Sequence, residues 1–98
     1  MRTLPFTQAE VIGVIEVAAT KQLLPRNYRD SDVLKCTDSL DLVEFIMAIE
    51  DEFIKQSGVA VTLDQDFMYL SIQEGTMDYN QMVIYVTTTI NFKLNNLL

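Results

Sequence analysis

Apolar and polar positions alternate along this chain with two clear helical periods and one ambiguous stretch. Val11, Ile12, Val14, Ile15, Ala18, Ala19 and Leu23 recur at the spacing of one helix face. Ahead of them, Thr7-Gln8-Ala9-Glu10 has the form of a capping box, with Phe6 and Val11 at the positions of a hydrophobic staple. Pro25 disfavours helical geometry at Leu24, so this first helix is expected to end near Leu24. Gly13 costs it about 1 kcal/mol relative to alanine, too little to overturn the period.

A second period begins at Asp38 or Ser39 and runs to about Lys55. Leu42, Ile46, Ile49 and Phe53 form its apolar stripe, with Val43 and Phe45 on the flanks, and Asp41, Glu44 and Asp51 fall on the other side. Ser57-Gly58 supplies its stop. Between the two helices, residues 24–37 read as a long polar connection pinned to the core by Tyr28, Val33 and Leu34.

The C-terminal part is less regular. Val59, Val61 and Leu63 alternate, as in a short strand or an extended loop, and Phe67 to Ile72 fits a short helix. Residues 77–90 carry Met82, Val86 and Ile90 at helical spacing but also the strand-favouring run Val83-Ile84-Tyr85-Val86-Thr87-Thr88-Thr89. A closing helix is the reading adopted, with a tail fraying over about 91–98. The expected fold is therefore all-α: one domain over 1–98, a small helical bundle of three main helices plus one short helix.

Composition narrows the function classes. Fourteen acids against seven bases give a formal charge of −7, which repels nucleic-acid backbones and attracts basic patches on proteins. Eight of the fourteen acids lie between Asp30 and Glu52. No apolar run is long enough for a membrane span, and the opening MRTLPFTQAE lacks a signal-peptide core. With a single cysteine, Cys36, these features lead to the expectation of a cytoplasmic monomer. No histidine is present, so Cys36 has no Cys-His pairing open to it and reads as a plain loop thiol. Asp30-Ser31-Asp32 and Asp64-Gln65-Asp66 each begin like a calcium loop but continue with the wrong residues at the glycine and acceptor positions.

Ser39 is the residue with distinctive chemistry available to it. Asp38 is a preferred N-cap, which puts the Ser39 hydroxyl in a first helical turn among backbone N–H groups that lack partners. A phosphate ester there is favoured by those donors and by the helix dipole. The run Asp38-Ser39-Leu40-Asp41-Leu42-Val43-Glu44-Phe45-Ile46-Met47-Ala48-Ile49-Glu50-Asp51-Glu52-Phe53 closely resembles the Asp-Ser-Leu segment and recognition helix of acyl carrier proteins. The resemblance implies that Ser39 receives 4′-phosphopantetheine from coenzyme A through a separate magnesium-dependent phosphopantetheinyl transferase, with Asp38 beside the attachment site. It further implies that Asp41, Glu44, Glu50 and Asp51 face basic docking patches on acyl-loading and acyl-modifying enzymes. Leu40 and Met47 project near this acidic face and supply apolar grip.

Lys35-Cys36-Thr37 stands where family members usually carry a glycine shortly before the Asp-Ser pair, a departure that weakens the expectation of a housekeeping fatty-acid role and suits a specialised carrier at least as well. Two alternatives stay open: an aminoacyl or peptidyl carrier, and an unmodified adaptor that uses the carrier fold only for docking. A stand-alone enzyme is not expected, since no general base, nucleophile or metal site is assembled.

Overall fold

The computed structural model describes residues 5–97. These fold into five helices: α1 Gln8–Lys21, α2 Ser31–Lys35, α3 Ser39–Ser57, α4 Gln65–Glu74 and α5 Tyr79–Leu97. The all-α expectation holds, with α1, α3 and α5 as the main helices. The count of short helices does not hold, because α2 lies inside the segment read as a plain connection. Five residues are too few to declare a period; the local cause is Asp30, whose Oδ1 accepts from the Asp32 N–H at 2.9 Å.

The capping box of α1 forms as its sequence requires. Glu10 N–H donates to Thr7 Oγ1 at 3.2 Å, and Thr7 N–H donates to Glu10 Oε1 at 3.0 Å. At its other end the helix stops at Lys21, earlier than Pro25 alone dictates. Leu23 N–H donates to the Thr20 carbonyl at 3.1 Å and Leu24 N–H to the Ala19 carbonyl at 3.0 Å. This is a Schellman motif with a leucine, φ +56°, in the left-handed position that glycine normally fills.

Long-range contacts set the topology. Phe6, just ahead of α1, packs edge-on to Phe53 late in α3, with ring centroids 5.2 Å apart. Its backbone N–H and carbonyl are bonded to the side-chain amide of Asn91, late in α5, at 2.8 and 2.9 Å. The start of α1 thus sits beside the ends of α3 and α5, so those two helices run parallel to each other and opposite to α1. Val14, Ile15, Leu42, Phe45, Ile46, Ile49, Phe53, Met82, Val86 and Ile90 fill the core between them. α4 packs on α3, and α2 on α4.

Residues 59–63 form neither helix nor, among the described residues, a strand. Their alternation still has a physical meaning, since Val61 and Leu63 are buried while Ala60 and Thr62 are exposed. The strand propensity of α5 is overridden by burial of Met82, Val83, Val86, Ile90 and Leu94 on one helical face. Its start is fixed by a second reciprocal cap, in which Gln81 N–H donates to Asp78 Oδ1 at 2.8 Å and Asp78 N–H donates to Gln81 Oε1 at 2.9 Å. The segment expected to fray remains helical through Leu97, held by Asn91, by buried Leu94 and by Lys93, whose amine donates to the Thr62 carbonyl. Leu98 lies outside the described residues.

The candidate attachment site and its acidic helix face

Two anchors hold the connection that leads to Ser39. Tyr28 is buried edge-on between Phe45 and Tyr79, at centroid distances of 6.0 and 5.8 Å. Its hydroxyl donates to Glu16 Oε2 at 2.6 Å, and Arg29 Nη2 donates to the same oxygen at 3.0 Å. The Arg29 guanidinium lies 5.0 Å from the Tyr79 ring centroid. These donors hold the Glu16 carboxyl below its ordinary value, the Tyr28 hydroxyl contributing most and Arg29 next. Burial, reinforced by the bond to Glu16, pushes the Tyr28 phenol upward, so it stays a donor at neutral pH.

The second anchor is α2 with Leu34, which is fully buried; Val33 is only half-buried. Thr37 Oγ1 donates to the Val33 carbonyl at 2.9 Å, and Gln73 Nε2 reaches the Thr37 carbonyl at 3.4 Å. Lys35 lies against the end of α4, where a Cβ on Gly75 would stand 3.4 Å from Lys35 Nζ. An amine at that C-terminus is favoured by the helix dipole. The residues just before the Asp-Ser pair are thereby docked on α4. Cys36 closes α2 as an exposed free thiol.

Asp38 is the N-cap of α3, with extended backbone (φ −54°, ψ 142°), and its Oδ1 accepts from the Leu40 N–H at 2.8 Å. Its carbonyl accepts the first helical bond, from Leu42 N–H at 2.9 Å. Ser39 is the first helical residue and is exposed. A phosphoester at its hydroxyl fits this position: the side chain is open to solvent, and the helix start offers first-turn N–H groups beyond the one that Asp38 occupies.

Past the serine, Leu40, Glu44, Met47 and Asp51 follow at spacings of four, three and four on one exposed face, with Asp41 exposed beside them. Leu40 is 64% and Met47 47% exposed, so both present apolar area to solvent. A hollow of about 290 Å³ opens here between α1 and α3, lined by Lys21, Gln22, Glu44, Met47, Ala48 and Asp51. Met47 and Ala48 give it apolar walls and two carboxylates flank it, an arrangement suited to the stem and head of a basic side chain.

Glu50 does not belong to this face, and the expectation that it meets partners is corrected. It is buried, and its carboxylate accepts from the Leu63 N–H at 2.6 Å and from Gln65 Nε2 at 3.0 Å. It holds the 58–64 connection to α3. Glu52 is also buried and pairs with Lys21 at 3.3 Å and Lys55 at 3.8 Å. Sequence reasoning missed Lys21, which no local pattern could place against α3, and Ile54, which extends the exposed apolar positions at 38%.

The two calcium-like runs resolve into caps, Asp30 for α2 and Asp64 for α4. Among the described residues no group of three metal-ligating side chains comes together, and no helix is long and apolar enough to cross a membrane. Comparison with family models, with curated proteins and with solved structures returns no match for this chain.

Proposed function

We propose that this chain is an acyl carrier, modified on Ser39 with 4′-phosphopantetheine and serving the enzymes of a fatty-acid, polyketide or related lipid pathway. The observation that carries the reading is the position of Ser39: an exposed hydroxyl in the first turn of an Asp-capped helix, continuous with the exposed face of Leu40, Asp41, Glu44, Met47 and Asp51. When bound, the prosthetic group supplies a terminal thiol that holds acyl cargo as a thioester.

The residues of the chain do the rest. Ser39 offers the oxygen to which the arm is joined, and the open turn lets a transferase approach it. Asp38 keeps that turn formed through its bond to Leu40. Tyr28, Glu16, Arg29 and Leu34 hold the preceding connection against the bundle, so the attachment point is fixed relative to the docking face. Asp41, Glu44 and Asp51 steer basic patches toward it, and Leu40 and Met47 give contact area once they arrive. No step requires the chain itself to make or break a bond in the cargo, which is why the reading is a carrier and not an enzyme.

Co-expression with a broad-specificity phosphopantetheinyl transferase, followed by intact-mass measurement, tests the proposal. One phosphopantetheine adduct per chain is expected, and Ser39→Ala abolishes it. An unmodified parent, or an adduct retained in Ser39→Ala, refutes the reading. Loading the modified protein with acyl and with aminoacyl donors then separates a lipid or polyketide carrier from a peptide one.

A further inference from the structure

The outer face of α5 differs from the rest of this acidic surface. In the 19 residues YNQMVIYVTTTINFKLNNL only Lys93 is charged, and its amine is bonded to Thr62. Gln81, Ile84, Thr88, Phe92 and Asn95 are all exposed and follow one another at spacings of three, four, four and three, the seam of a helix that meets another helix. Ile84 is 53% and Phe92 66% exposed. Phe67 of α4, 47% exposed and tilted against Tyr85 with ring centroids 5.3 Å apart, extends the apolar area sideways.

The seam is also self-complementary. Thr88 lies midway between Ile84 and Phe92 and midway between Gln81 and Asn95. A second α5 laid antiparallel about a two-fold axis at Thr88 sets each Ile84 against the partner copy's Phe92 and each Gln81 against its Asn95. Two apolar pairs then flank a Thr88 centre, with an amide pair at either end. Such matching is what an isologous contact requires. Charge selects the same face: two copies of −7 each repel, and they approach at least cost where neither presents an acid.

We infer that the chain forms a weak two-fold dimer through the outer face of α5. A helix of this length offers a strip about 28 Å by 10 Å on each copy, so the total area covered is about 560 Å², below what a stable dimer buries. The pairing is therefore dynamic, with Kd in the range of about 0.1–1 mM. It leaves Ser39 and the acidic face of α3 uncovered, and it does not depend on what Ser39 carries.

Sedimentation velocity of the full chain, from about 20 µM to about 1 mM at low and at high salt, tests this. The mean sedimentation coefficient is expected to rise with concentration, and to rise further with salt as repulsion between copies is screened. Phe92→Glu and Ile84→Lys, both on exposed positions, each weaken pairing about tenfold or more. The double variant recovers it, because the introduced lysine of each copy then faces the introduced glutamate of the other. Ser39→Ala pairs like the parent, so failure here and failure of the carrier reading are separate results. A monomer at every concentration overturns the inference. So does pairing that Phe92→Glu leaves intact, that salt weakens, or that the double variant does not recover. Binding of the monomer to phosphatidylcholine vesicles through Phe92, without self-association, makes the face a lipid surface instead and equally overturns it.

Discussion

Glu50 gives the sharpest division between surface and structural roles in the acidic stretch. Replacing it with alanine removes the acceptor of the Leu63 N–H (2.6 Å) and of Gln65 Nε2 (3.0 Å). Leu63 is only 5% exposed, so its N–H loses its partner with little water to replace it. A buried donor left in that state costs about 1–3 kcal/mol, and the second, partly buried bond about 1 kcal/mol more. The total, about 2–4 kcal/mol, is a large share of the ~5–15 kcal/mol that stabilises a domain of this size. Urea unfolding followed by circular dichroism should show a lower midpoint with an unchanged slope, and the melting temperature should fall by about 8–25 °C. Glu44→Ala, on the exposed face, should stay within about 0.5 kcal/mol of the parent. If Glu50→Ala costs under about 1 kcal/mol, or no more than Glu44→Ala, then Glu50 does not hold the 58–64 connection and the division fails.

Leu23→Gly should stabilise the chain. Leu23 is 89% exposed and left-handed at φ +56°, so relief of about 1–2 kcal/mol of backbone strain exceeds the entropy glycine adds to the unfolded chain, for a net gain of about 0.5–1 kcal/mol. An unchanged or lower urea midpoint would show that the leucine is not strained there. Glu16 has its folded pKa depressed by the Tyr28 hydroxyl first and Arg29 second, so its contribution is complete above the unfolded carboxylate value of about 4.5 and is lost as pH falls through the lower folded value. Glu16→Gln should therefore lose less stability than the parent on acidification through that window; parallel pH profiles of the urea midpoint would contradict this. Neutralising Asp41, Glu44 and Asp51 together should slow association with a basic-patched partner by about tenfold at low salt and flatten its salt dependence. A stopped-flow rate that does not change removes the steering role.

How far these features can be read from sequence depends on which interactions set them. The cap of α1 and the period of α3 are local, and Thr7-Glu10 and Leu42-Ile46-Ile49-Phe53 form as their spacing requires. α2 is hidden because five residues carry no period, although Asp30 ahead of Ser31 is a usable cap signal. α5 looks divided between helix and strand because propensity is read residue by residue, whereas its fate is decided by the core facing Met82, Val86 and Ile90. The reciprocal cap of Asp78 and Gln81, visible in sequence, favours the helix. Glu50 shows how residue type can mask position. It stands four residues after Ile46 and three before Phe53, so the helical period alone puts it beside the apolar stripe, but an acid there reads as a surface residue until Leu63 and Gln65 are placed against it.

That distinction changes what the cluster of acids means. Of the eight between Asp30 and Glu52, two cap helices (Asp30 and Asp38) and two are buried with partners (Glu50 and Glu52). The remaining four, Asp32, Asp41, Glu44 and Asp51, are exposed. In the carrier proposed above, steering toward the Ser39 end therefore rests on the exposed capping Asp38 beside the serine and on Asp41, Glu44 and Asp51, the last three spanning ten residues of helix, or about 15 Å. Over that length the charges act as separate points more than as one diffuse field, since the screening length at physiological salt is about 8 Å. A partner matched to this face needs cations at about that spacing around an apolar centre for Leu40 and Met47, and adding basic charge outside the strip should gain it little. In that proposed carrier, the same burial that makes Glu50 and Glu52 structural narrows the docking signal to a short stripe, which is what a partner of the carrier would have to recognise.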